Sequence, residues 1–391
     1  MRFIKEVESI DGKRVLVRVD FNLPIKNKKI VDNSRILASL PTIKYLSENG
    51  AKVIIISHLG RPEGKIDENL RLDGVAEEFS GLFGKKIKKF LDYFGEEVKT
   101  GIDEMQNGEV VMLENIRFSP DEKDNKGTLA KDLASLADVF VLDAFSVTHR
   151  ADASVVGIAE FIPSYAGFLI EKELKNLNKV LENPEKPFVV VLGGAKVETK
   201  LHLIEGLSNL ADLFLVGGAI ANSFLKKKGF GVGNSLEVGF ENEKIMSLLE
   251  EKTIILPVDV VVGKKDGTDF RVVKIEENPH NICLESEGIF DIGPETIKIF
   301  ANKMQNVKII LWNGAMGYFE QKPYNEGTDK LVKIIVKNSK KGAFSIVGGG
   351  ETIESIKKLS FEKEIDFISM GGGAMLEYLS GKSLPGLKAL Q

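Results

Sequence analysis

The chain has 391 residues, 43% of them hydrophobic, which calls for two domains of ordinary size with real cores. A net charge of −4 argues against a general nucleic-acid binder, and neither a signal peptide nor an apolar run long enough to cross a membrane is visible. The single cysteine, Cys283, rules out an internal disulfide and fits a reducing compartment, so a cytoplasmic protein working on small molecules is expected.

Arginine is distributed unevenly. Arg2, Arg14, Arg18, Arg35, Arg61, Arg71, Arg117 and Arg150 precede residue 151, and only Arg271 follows. Guanidinium forks are favoured where phosphate or carboxylate must be gripped in a fixed geometry. Arg2, Arg14 and Arg71 read better as surface salt bridges.

In chain order, Arg14–Val19 reads as a strand that Asp20-Phe-Asn-Leu-Pro24 ends. Arg18, Asp20 and Asn22 alternate and share one face, as a turn cap or as part of a site. A helix is expected over Asn33–Leu46, with Arg35 in its first turn, where a cation is disfavoured unless it faces an anion. Lys52–Ser57, Val110–Leu113 and Val139–Leu142 are further apolar strands of the kind found in parallel sheets. They end in His58-Leu-Gly-Arg61, in Glu114-Asn-Ile-Arg117 and in Asp143-Ala-Phe-Ser-Val-Thr-His149-Arg150. In open α/β sheets ligands bind beyond the carboxyl ends of the strands. Arg18, His58, Arg61, Arg117, His149 and Arg150 should therefore converge on one small anion.

The spacing of Leu169, Leu174, Leu177 and Leu181 predicts a helix over Gly167–Leu181, and the strand-end chemistry changes across it. We take it as the connector between domains. Beyond it, strands Phe188–Leu192, Leu213–Val216, Lys308–Trp312, Phe344–Val347 and Asp366–Ser369 all end in glycine. Their turns are Gly193-Gly194-Ala195-Lys196, Gly217-Gly218, Asn313-Gly314-Ala-Met-Gly317, Gly348-Gly349-Gly350 and Gly371-Gly372-Gly373. Bare backbone suits a nucleotide, because phosphates need N–H donors and the base needs a smooth slot. Glu351 and Thr352 open a predicted helix, Glu351–Ser360, whose start would seat a phosphate, with Glu351 the candidate Mg²⁺ ligand. Lys196 and Lys200 should share one helix face behind their glycines. Gly229–Ser235 reads as a loop, His202 and His280 as structural, Trp312 as wall or core, and Met370 and Met375 as packing. The P-loop fingerprint before Gly381-Lys382-Ser383 fails at its first glycine, where Leu376 stands, and the dinucleotide fingerprint fails at its last, held by Ile353 or Leu376.

Several motifs carry a family resemblance in order over nearly the whole chain. They are Arg-Val-Asp-Phe-Asn-Leu-Pro (18–24), Ser-His-Leu-Gly-Arg-Pro (57–62), Leu-Glu-Asn-Ile-Arg-Phe (113–118), Asp-Ala-Phe…His-Arg (143–150), Gly-Gly-Ala-Lys-Val (193–197), Asp-Ile-Gly-Pro (291–294), Trp-Asn-Gly…Met-Gly…Phe-Glu (312–320) and the two triple-glycine turns. Together they resemble phosphoglycerate kinase. The resemblance implies two Rossmann-like three-layer α/β/α domains with parallel sheets, joined by a connecting helix. Residues 1–166 would bind 3-phosphoglycerate, 167–183 would form the helix, 184–375 would bind the nucleotide, and the tail 376–391 would pack back on the first domain. It implies that Asp20, Asn22, Arg35, His58, Arg61, Arg117 and Arg150 hold the glycerate. It further implies that Lys196, Lys200, Asn313, Glu320, Glu351 and Thr352, with the glycine turns (Gly194, Gly217, Gly218 and Gly348 to Gly350), serve ADP or ATP with Mg²⁺.

A carboxylate attacking phosphorus has no proton to give up, so the chemistry needs positioning and charge neutralisation and no general base. Arg35 and Lys196 are expected to reach the moving phosphoryl group from opposite domains of a closing monomer. N–H groups of the turns, at Gly349 and Gly372, complete the cage. The chain departs from the family pattern at Glu351 (usually Asp), Ala315 (Pro), Met370 and Met375 (small hydroxyl residues) and Ser146-Val147 (Gly-Thr). A nicotinamide dehydrogenase or a non-catalytic nucleotide-binding module would share the glycines, but neither explains the arginines.

Overall fold

The computed structural model describes residues 1–391 except Lys28, Lys252 and Pro279. The chain forms two compact units, Met1–Lys175 with Ser383–Gln391, and Asn176–Lys382.

The first unit is built on six parallel strands. In chain order come β1 (Arg14–Val19), the two-stranded hairpin β2 (Ile25–Lys26) and β3 (Lys29–Ile30), β4 (Lys52–Ile56), β5 (Lys88–Lys89), β6 (Val110–Met112), β7 (Val139–Asp143) and β8 (Ser164–Ala166). The sheet order is β5-β6-β4-β1-β7-β8. β1 is central, and Val15, Leu16, Val17 and Val19 are fully buried because helices cover both faces. The helices are α1 (Ser34–Glu48), α2 (Asp73–Phe83), α3 (Glu96–Asp103), α4 (Leu129–Ser135) and the start of α5 (Phe168–Leu181). α1 packs Ile36, Leu40, Ile43 and Leu46 into the core and continues through Pro41, which removes one internal N–H bond. From β1 the chain moves to β4 on one side, and from β7 it moves to β8 on the other. The loops after β1 and β7 therefore flank the crevice where a doubly wound sheet binds ligands.

The second unit repeats the plan. Its strands are β9 (Phe188–Leu192), β10 (Leu213–Val216), β11 (Ile254–Ile255), β12 (Asp259–Gly263), β13 (Arg271–Lys274), β14 (Gly288–Ile292), β15 (Ile309–Asn313), β16 (Phe344–Gly348) and β17 (Phe367–Ile368). The parallel sheet runs β11-β10-β9-β15-β16-β17, with its crevice between β9 and β15. β12 pairs antiparallel with β13 and β14 in a separate small sheet that the sequence pattern does not announce. The helices are the end of α5, α6 (Val197–Leu207), α7 (Gly218–Lys227), α8 (Glu243–Glu250), α9 (Pro294–Lys303), α10 (Glu326–Ser339), α11 (Gly350–Lys358) and α12 (Gly373–Leu379). Trp312 and Met375 are fully buried, whereas His202 and His280 are exposed. The tail ends in α13 (Pro385–Lys388) within the first unit, where Gly386 N donates to Thr148 O at 2.8 Å.

Candidate functional site

At the carboxyl end of the first sheet the strand-end side chains come together. Arg18, near the end of β1, is fully buried. Its Nε donates to Ser154 Oγ (2.8 Å), its Nη2 lies 3.1 Å from His58 Nδ1, and its Nη1 donates to Val19 O. Asp20 accepts from Arg35 Nη1 and from the Ser146 hydroxyl, so the anion that Arg35 faces in this structure is Asp20. Asn22 Oδ1 accepts from Gly60 N (2.9 Å), and Arg117 Nη1 donates to Gly60 O (2.8 Å). The Gly60 turn is thus clamped from both sides. Arg117 also lies 3.9 Å from the buried Asp152 carboxylate. His149 and Arg150 are half-buried, and Arg150 Nη1 has no hydrogen-bond partner among the described residues. Arg61 is exposed.

Burial pushes His58 well below its ordinary value, and the Arg18, Arg117 and Arg150 charges push it further against Asp20. The ring is therefore neutral near pH 7, with Nδ1 accepting from Arg18 and Nε2 carrying the proton. Burial also lowers Arg18 and Arg117, and for Arg117 the neighbouring Arg150 and Arg18 add to it. Asp20 goes the other way: burial would raise it, but the Arg35 and Arg18 charges and the Ser146 hydroxyl hold it well below the carboxylate range. Crowded cations that lower one another mark a place where an anion would be stabilised. Sequence reasoning missed Ser146, Asp152, Ser154 and Glu122. Asp152 and Ser154 closely follow His149-Arg150, and that proximity was the one available signal.

In the second unit the glycine turns are knitted to each other. Gly193 N donates to Asn313 O (3.0 Å), Gly194 N to Ala315 O (2.6 Å), Gly217 N to Leu192 O (2.8 Å) and Gly218 N to Met316 O (2.9 Å). The N–H groups of Gly194, Gly217 and Gly218 were expected to face phosphates. The ends of adjacent parallel strands lie only about 5 Å apart, so each turn meets its neighbour's carbonyls first. Gly218 has φ 58°, and a Cβ there would stand 2.8 Å from Gly194 N. Asn313 and Thr352 brace the same region: Asn313 Nδ2 donates to Gly348 O (2.8 Å), and Gly314 N donates to Thr352 Oγ1 (2.7 Å).

The start of α11 is different. Gly349, at φ 94°, caps it, and Ile353 N closes the first helical bond onto Gly349 O (3.0 Å). The N–H groups of Gly350, Glu351 and Thr352 lie ahead of that bond, at the positive end of the helix. Met375 Sδ packs directly on Gly348 and fixes the turn from behind. Gly372, at φ 53°, caps α12 with open space around it.

A cavity of about 770 Å³ opens beside these turns, and its lining includes Gly194, Gly218, Phe290, Met316, Glu320 and Glu351. The small sheet of β12 and β14 supplies its far wall. That volume fits a drug-sized or nucleotide-sized ligand. Lys196 is exposed at the N-cap of α6, whereas Lys200 is buried one turn later. Burial lowers Lys200 to about 8, with Glu351 opposing the shift and Lys196 adding to it.

These two sites, one lined with arginine and one with glycine, accord with what the chain is similar to. The family model described as phosphoglycerate kinase matches residues 4–382. A phosphoglycerate kinase of Dictyoglomus turgidum is 46% identical, over 98% of this chain and 97% of that protein. One of Moorella thermoacetica is 42% identical, over 99% of this chain and 98% of that protein. Among solved structures, phosphoglycerate kinase from Pyrococcus horikoshii is 35% identical, with a TM-score of 0.84 over 100% of this chain and 98% of that chain. The Coxiella burnetii structure is 38% identical, with a TM-score of 0.83 over 99% of this chain and 98% of that chain. With motifs, fold and full-length similarity in agreement, the chain belongs to the phosphoglycerate kinase family.

Proposed function

We propose that the basic cluster of the first unit holds 3-phosphoglycerate or its acyl phosphate, and that the cavity of the second unit holds ADP or ATP with Mg²⁺. The reaction is the reversible transfer of the acyl phosphoryl group of 1,3-bisphosphoglycerate to ADP. A β-phosphate oxygen forms the new P–O bond, and the old one breaks with its electron pair left on the carboxylate. No proton moves, which agrees with a site rich in cations and with His58 neutral. The observation that carries this reading is the convergence of Arg18, His58, Arg117 and Arg150, from four separate strand ends, around a guanidinium nitrogen that has no hydrogen-bond partner among the described residues.

In this reading Arg117 and Arg150 grip the substrate's anionic groups, His58 offers Nε2–H, and Arg35 exchanges part of its hold on Asp20 for the ligand. Arg61, being exposed, serves at the rim. In the second unit the Gly350 and Glu351 N–H groups receive phosphate oxygens, while Gly194, Gly217 and Gly218 shape the floor. Lys196 and Lys200 neutralise phosphate charge.

Among the described residues no cluster of three or more metal-ligating side chains exists. Glu351 lines the cavity, with one carboxylate oxygen close against Gly194. One carboxylate plus phosphate oxygens and water is the ordinary way to hold Mg²⁺, so the residues present fit the ion. When bound, it would offset charge on the transferring phosphates.

No described helix is long and apolar enough to cross a membrane. We place the reaction in the cytoplasm, carried by a single chain. A coupled assay of ATP formation from ADP and 1,3-bisphosphoglycerate, with and without a Mg²⁺ chelator, tests the whole. Turnover that needs the metal supports it, whereas nucleotide binding without ATP formation refutes it.

A further inference from the structure

We infer that Glu122 and Ser154 are positioning residues for the phosphoglycerate site: a buried carboxylate fixes a serine hydroxyl, and that hydroxyl aims the Arg18 guanidinium. The inference rests on the reading of the first unit given above and adds two residues that never meet the ligand themselves.

Glu122 is 1% exposed, and Ser154 and Arg18 are fully buried. Ser154 Oγ donates to Glu122 Oε1 (2.6 Å), Ser154 N donates to Glu122 Oε2 (2.9 Å), and Ala153 N donates to Glu122 O (2.7 Å). The hydroxyl has one proton, and Glu122 takes it. Its lone pairs are then left to accept Arg18 Nε at 2.8 Å. Arg18 Nη1 is held by Val19 O and Nη2 by His58 Nδ1, so Nε is the third point that fixes the plane of the fork. Ser154 lies in the π-helical turn Ala153–Gly157, an arrangement that tends to mark functional sites. The turn is itself fixed, because a Cβ at Gly157 would stand 2.7 Å from Ala130 Cβ. The carboxylate also offsets the burial of the Arg18 charge.

The test compares Ser154→Ala, Ser154→Thr, Glu122→Gln and Arg18→Lys in the full chain, with steady-state kinetics for both substrates and ¹H NMR titration of His58. We expect Ser154→Ala to raise KM for 3-phosphoglycerate roughly ten- to hundredfold, the range for a hydrogen bond to a charged group. KM for MgATP should stay within about twofold, since the nucleotide site draws on other hydrogen bonds. The His58 midpoint should move upward, because a displaced guanidinium no longer opposes its proton. Ser154→Thr restores the hydroxyl and should return KM toward the parent value, and Glu122→Gln should shift KM and midpoint in the same directions as Ser154→Ala. An unchanged KM and an unchanged His58 midpoint in folded Ser154→Ala overturn the inference. So does a rise in both KM values together. Should Ser154→Ala not fold, Glu122→Gln is measured in its place, and the same two results support or overturn the inference. If Arg18→Lys itself leaves the 3-phosphoglycerate KM unchanged, the reading of the first unit fails, and the inference with it.

Discussion

Lys200 offers the sharpest test of the nucleotide site. It is 6% exposed, and burial holds its ammonium at about 8, from an ordinary value of 10.5, with Glu351 opposing and Lys196 adding. The sign follows directly: the folded protein loses this cation as pH rises through about 8. A group with that midpoint is roughly nine-tenths charged near pH 7 and one-tenth charged near pH 9. If only the charged form supports phosphate binding, Kd for MgADP should rise about tenfold over that interval. Lys200→Met should raise Kd by roughly ten- to hundredfold near pH 7, the worth of a charge-assisted contact, and should flatten the pH dependence. Isothermal calorimetry on the full chain, in buffers of matched ionic strength, measures both. A parent Kd that is flat across the interval refutes the argument. So does a Lys200→Met protein that keeps the slope, since the titration would then belong to another group.

Three further outcomes follow from the same geometry. The Asp143 carboxyl is pushed by burial from 3.8 up to about 7, against the Thr42 hydroxyl and the Leu169 and Ile170 N–H groups. A raised folded value means that stability is full below the unfolded value and declines as pH rises toward about 7. Asp143→Asn should remove a decline of up to about 4 kcal/mol across that window in urea titrations. Gly218→Ala places a Cβ 2.8 Å from Gly194 N at φ 58°. It should destabilise the second unit by roughly 2–4 kcal/mol, followed through Trp312, the single tryptophan. Arg117→Lys loses the fork that joins Gly60 O to Asp152, and its KM for 3-phosphoglycerate should rise about tenfold or more while KM for MgATP holds.

Much of the framework was legible because parallel strands buried on both faces write themselves as continuous apolar runs. Arg14–Val19, Phe188–Leu192 and Leu213–Val216 stand at the boundaries the sequence indicates, and α11 begins one residue earlier than expected, at Gly350. The small sheet of β12 to β14 was not legible. β13 has only four residues, one of them buried, and the β12–β14 register shifts between Val261 and Val262, which leaves too short and broken a pattern to read. Side-chain partnerships were harder still. Arg18 and Ser154 are 136 residues apart, and nothing local marks Ser154 as the residue that accepts from Arg18. The glycine turns show a third kind of failure. Sequence gives the absence of a Cβ but not what uses the exposed N–H, and three of the expected phosphate donors bond to neighbouring strand ends instead.

In the proposed reading the two units meet the same electrostatic problem in different ways, and the difference follows from ligand shape. A three-carbon acid has no surface to bury, so its orientation must come from directional forks, and forks must be rigid before the ligand arrives. Internal carboxylates supply that rigidity: Asp20 holds Arg35, Asp152 stands by Arg117, and Glu122 acts on Arg18 through Ser154. Such pairing has a consequence for affinity. A ligand must compete with Asp20 for Arg35, so part of the binding energy is returned when that pair loosens. A nucleotide, by contrast, brings a large flat base and a phosphate chain. An apolar cavity and one helix start suffice for it, and additional arginines would only add desolvation. On the proposed assignment, the arginine-rich and glycine-rich halves of the sequence match a compact acid and an extended nucleotide, and exchanging their chemistries would leave each ligand either unoriented or over-charged.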